Sequence, residues 1–173
     1  MAKVLKNKAT LIVTFCFGLI LCLSLQADAQ QGQISFKPVL LKQVLVSAGI
    51  EAEQDVLYHH GILLKALSLK GPEDIPIVIG FPRDGIQKGK PFLLVADGIE
   101  YGVKMTEDEG LMVINGDAEL ISLGILDMVE CILLSVEDML EMLAECDILD
   151  VYCFIEAAIT GSIAISLCPL NIL

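Results

Sequence analysis

Four cysteines are the residues whose type and spacing most clearly imply chemistry. Cys131, Cys146, Cys153 and Cys168 are spaced C-x14-C-x6-C-x14-C, so the outer pair and the inner pair share one midpoint between Leu149 and Asp150. No C-x2-C pair of the kind that holds zinc is present. The chemistry expected of these thiols is oxidation to two disulfides, and three pairings are open to four cysteines. If the flanking segments are continuous helices, Cys131 and Cys146 stand about 22 Å apart at the helical rise. A bridge needs Cα atoms within about 7 Å. Folding the chain back at the midpoint sets Cys146 against Cys153 and Cys131 against Cys168, and these are the predicted pairs.

The other candidates for chemistry are weaker. His59-His60, beside Tyr58 and close to Asp55, is the only imidazole pair. Adjacent side chains on a helix point about 100° apart and no third ligand is spaced for a shared ion, so a surface pair is expected. Glu107-Asp108-Glu109 offers hard oxygen ligands in a turn, but without the alternating acids and trailing Glu of a calcium loop. A solvated hairpin tip is the simpler reading. No G-x-S-x-G, H-E-x-x-H or P-loop motif occurs. The sequence thus assigns no catalytic, cofactor-binding or metal-binding residue, and the protein reads as non-enzymatic.

Charge is partitioned along the chain. Residues 30–104 balance eight acids with eight bases, whereas residues 105–173 contain fourteen acids and no Lys or Arg. At 100° per residue, Asp127, Glu130, Glu137, Asp138, Glu141 and Glu145 fall in one sector of a helix. Met128, Val129, Ile132, Leu133, Val136, Met139, Leu140 and Leu143 take the opposite side. Like charges four apart cost a few tenths of a kcal/mol per pair, and bases would ordinarily be interspersed to relieve them. Their absence makes the acidic sector a candidate docking face for a protein or cationic partner. The alternative is simply the wet face of an amphipathic helix. A surface of this sign repels phosphate backbones, so nucleic acid is excluded as its partner.

The elements that position these residues follow from hydrophobic pattern. Lys3, Lys6 and Lys8, an uncharged apolar run over residues 10–25, and Ala27-Asp28-Ala29 make a signal peptide at residues 1–29. Its removal takes three lysines and one aspartate, so the formal charge moves from −12 to −14. It also removes Cys16 and Cys22, leaving an even number of cysteines in a secreted chain, extracellular or periplasmic, where disulfides persist.

Residues 30–116 form a mixed or β-rich region. The segment after Ile34 is either two strands or a strand and a helix opened by Pro38. Residues 51–70 read as a helix, with Val56, His60, Leu63 and Leu67 at helical spacing, acids at the start, and lysines before Gly71-Pro72 at the finish; the alternative is strand, since Gly61 interrupts the middle and Ala66, Ser68 and Lys70 alternate with Leu67 and Leu69. Residues 75–115 read as a four-stranded antiparallel meander. Asp97-Gly98 marks a type I′ hairpin, and Pro76 and Pro91 suit strand starts or edges.

Residues 117–173 form the acidic helical hairpin. Its second arm carries one charge, Glu156, before the uncharged stretch 157–173. A helix apolar on all sides is buried, here against the first arm and sheet or in a homo-oligomer; membrane contact through residues 157–173 is the alternative. The fold class is α+β, with an all-β sandwich plus hairpin as the other arrangement. The function expected is a binding or structural module, with a carrier of an apolar ligand such as a lipid, or a membrane-associated protein, as alternatives. Mass spectrometry of the exported protein is expected to find its N-terminus at Gln30, free or cyclised; a chain beginning at Met1 contradicts cleavage and makes residues 10–25 an uncleaved anchor helix instead.

Overall fold

A computed structural model describes residues 35–106, 110–115, 124–147 and 150–168. The expected signal segment, the acidic turn at 107–109 and the tail after residue 168 lie outside them. In chain order the elements are a helix α1 (Pro38–Ser47), strands β1 (Ala52–His59), β2 (Ile62–Lys70), β3 (Pro76–Phe81), β4 (Pro91–Ala96), β5 (Ile99–Met105) and β6 (Leu111–Asn115), and helices α2 (Ile125–Glu145) and α3 (Val151–Leu167). Each strand pairs antiparallel with the next, so the sheet order is the sequence order. The class is α+β.

Local chemistry explains most boundaries. Pro38 occupies the first turn of α1, where its missing N–H has no helical partner to lose. Pro76 and Pro91 each open a strand. Asp97 and Gly98 have φ of 50° and 76°, as a two-residue I′ hairpin requires.

Residues 51–70 depart from the expected helix: they form the β1–β2 hairpin. His60 and Gly61 turn it with φ of 47° and 81°, values a helix does not contain. The apolar positions that suggested a helical stripe serve a period of two instead. Leu67 and Leu69 are buried opposite Ile79 and Ile77, while Val56 and Leu63 remain exposed. The meander therefore has six strands, not four, and the upstream helix is α1. The sandwich alternative is replaced by one sheet with helices on one face.

That face carries the core. Leu67, Ile77, Ile79, Leu94, Tyr101 and Val103 lie in one buried cluster with Leu41 and Leu45 of α1 and Ile132, Leu133 and Val136 of α2. The opposite face is partly covered by the sheet itself. His59 Nδ1 stands 2.8 Å from Glu100 Oε2, although three strands separate β1 from β5 in the sheet order. The end of the first hairpin must bend back over the face away from the helices. Gly80 makes room for it: a Cβ there would lie 3.3 Å from Leu57 Cδ2 and 3.2 Å from Leu93 Cβ.

Two disulfides close the helical hairpin, Cys131–Cys168 and Cys146–Cys153, with Cα separations of 5.6 and 5.7 Å. This is the pairing that folding at the midpoint demands. The first spans 37 residues and the second 7, so chain entropy assigns them roughly 4 and roughly 2 kcal/mol. Paired Cys→Ala replacements followed by urea titration are expected to show the larger loss for Cys131/Cys168; the reverse order contradicts that assignment.

Candidate interaction surface

The six acids of α2 do not share one role. Leu111 N–H donates to Glu130 Oε2 at 2.8 Å, so this carboxylate receives the first backbone donor of β6. Glu137 is only 7% exposed, and its Oε1 lies 3.0 Å from Lys88 Nζ in the loop before β4. These two acids fasten α2 to the sheet at two places. Asp127, Asp138, Glu141 and Glu145 face solvent with no ion-pair partner among the described residues. The acidic face open to a partner is therefore narrower than the sequence suggests.

One signal for the difference is present in the helical wheel. At 100° per residue, Glu137 and Glu130 sit at the edge of the acidic sector that adjoins Leu133 and Leu140. Acids in such a border position meet whatever the apolar side meets. Lys88 and the Leu111 amide are distant in sequence, so their identity as partners was not visible there.

The second arm is organised differently. Asp150 caps α3, its Oδ1 accepting from Cys153 N–H at 3.0 Å, which satisfies one of the free donors at the helix start. The helix packs on α2 and more sparsely on α1. Ala157, Gly161, Ile165 and Cys168 are buried, forming one line at three- and four-residue spacing. Gly161 sets the closeness of the contact: a Cβ there would lie 2.6 Å from Met139 Cβ, inside any tolerable separation.

The other side of α3 is bare. Val151, Tyr152, Ile155, Ile159, Ile163 and Leu167 are 41% to 85% exposed. On the wheel they form one continuous sector opposite the buried line. Glu156, also exposed, is the single charge within it. The expectation that α3 is covered on all sides thus fails within one chain, because its small-residue seam is too narrow to hide the large side chains behind it. A helix with such a stripe left open marks an interaction site more often than a scattered apolar residue does. Among the described residues no helix is long and apolar enough to cross a membrane.

The remaining candidates do not converge on a reactive centre. His59 is engaged with Glu100, and His60 occupies the turn with its ring centroid 4.1 Å from that of His59. No cluster of three or more metal-ligating side chains occurs among the described residues. A groove of about 420 Å³ runs between α1 and the first hairpin, lined by Pro38, Val39, Gln54, Asp55, Val56, Lys65 and Ala66. It is open to solvent, with Asp55 and Lys65 in a lining that is otherwise mostly apolar.

Comparison with known proteins finds no matching family model, no matching curated protein and no matching solved structure.

Glu137→Ala is expected to destabilise the protein by about 1 kcal/mol, because it removes an ion pair whose carboxylate is buried while Lys88 stays partly exposed. Asp138→Ala and Glu141→Ala should stay within about 0.5 kcal/mol, as exposed substitutions do. Thermal or urea unfolding of the three variants checks this; equal effects contradict the division of the acidic face.

Proposed function

We propose that this chain is an exported, non-enzymatic binding module that meets a protein partner through its C-terminal helical hairpin. The observation that carries the reading is the open apolar stripe of α3, on the side of the helix turned away from α2. Two disulfides suit an oxidising compartment, and they make the hairpin a rigid platform whose binding surface needs no ordering on contact. Preorganisation of this kind raises affinity by lowering the entropy lost on association.

The division of labour within the chain supports the same conclusion. The curled sheet and α1 bury the core, and Glu130 and Glu137 anchor α2 upon it. What α3 leaves outward is an apolar face with Glu156 within it, and an apolar centre of this kind is what the core of an interaction patch provides. A photoreactive residue placed at Ile159, in cells that make the protein, is expected to give a discrete protein adduct, and one placed at Asp97 on the β4–β5 turn is not. Lipid adducts at Ile159, or protein adducts from Asp97 alone, contradict the proposal.

A further inference from the structure

Resting on that reading of the hairpin, we infer that the occupant of the α3 stripe is an amphipathic helix bearing lysines or arginines, supplied by another protein. The length of the stripe suits a helix. It runs along all 17 residues of α3, about 25 Å at the helical rise, and Ile155, Ile159 and Ile163 repeat every four residues as the anchors of helix recognition do.

Charge selects the kind of helix. Glu156 lies inside the apolar sector, and Glu145, Asp147 and Asp150, all exposed, stand at its N-terminal end. Residues 105–173 bring no base to any of them. An occupant that covers Ile155, Ile159 and Ile163 also removes water from Glu156, which is costly unless a cation replaces it.

Three occupants can be compared on that requirement. A second copy meeting the stripe hairpin to hairpin brings further acids and no base, since its eight bases lie in residues 30–104. A membrane surface would take Glu156 toward the hydrocarbon without a partner, and interfacial helices ordinarily carry Lys or Arg on the polar face, which α3 lacks. A basic amphipathic helix meets both needs, with apolar residues on the isoleucines and a lysine or arginine on Glu156 or the acids beside Tyr152.

The test uses the mature, disulfide-intact protein and three labelled 18-residue peptides: an ordered Leu/Lys amphipathic helix, its Leu/Glu counterpart, and a Leu/Lys peptide with the pattern scrambled. Fluorescence anisotropy at low ionic strength is expected to show saturable binding of the first peptide only. Ile159→Ser should weaken it about tenfold, as loss of a central anchor does. Glu156→Gln should weaken it roughly two- to five-fold, the range of one exposed ion pair, and added salt should weaken the wild type. Both substitutions are at exposed positions, and unchanged thermal unfolding verifies that the fold is retained.

Absence of saturable binding, or equal binding of the Leu/Glu peptide, overturns the basic-helix inference. Sedimentation and flotation with neutral phosphatidylcholine vesicles, run on the wild type and Ile159→Ser, separate the two levels. If Ile159→Ser abolishes self-association or vesicle binding instead, the stripe is a contact surface with a different occupant. If it alters none of the three measurements, the hairpin reading fails as well.

Discussion

Three attachments along one side of α3 determine how the rest of the molecule is displayed. Cys153 is bonded to Cys146 at the start of the helix, Gly161 abuts Met139 in the middle, and Cys168 is bonded to Cys131 at the end. Because all three lie on one side, they fix the rotation of the helix about its own axis. The side bearing Tyr152, Ile155, Ile159 and Ile163 has no freedom to turn inward. Burial of large apolar side chains is worth about 1.5–3 kcal/mol each, and here the covalent geometry forgoes that gain.

The sheet provides the counterpart. Its core face is covered by α1 and α2, and its other face is partly closed by its own first hairpin, held by Leu57 over Gly80 and His59 on Glu100. The buried cluster is built mainly from the sheet, α1 and α2, and α3 packs on α2 and α1 and adds Ile165 to it.

Much of this was legible in the residues because it depended on local chemistry. Asp97-Gly98 favoured one kind of turn, Pro76 and Pro91 suited strand starts or edges, and the cysteine spacing left one pairing compatible with two straight helices. The first hairpin was not legible for a specific reason. Val56, His60, Leu63 and Leu67 satisfy a helical period, and the same segment alternates well enough for strands, so the pattern was degenerate. The tie was broken by His60-Gly61 adopting positive φ and by the pairing of Leu67 and Leu69 with β3, which is a tertiary fact. The roles of Glu130 and Glu137 were hidden likewise, since their partners lie in β6 and in the loop before β4. The bare side of α3 was masked by composition, because an all-apolar helix reads as buried whether or not anything stands beside it.

The central claim is that α3 presents its isoleucine stripe to solvent in the free protein. Methyl NMR of the disulfide-intact chain with a soluble paramagnetic agent tests it most directly, since such agents broaden signals in proportion to exposure. Ile155, Ile159 and Ile163, 47% to 55% exposed, should be strongly broadened, while Ile165 on the seam and Ile132 in the core, both 0% exposed, should be spared. Protection of Ile159 and Ile163 equal to that of Ile165 would show that something in the free protein already covers the stripe, and would contradict the account.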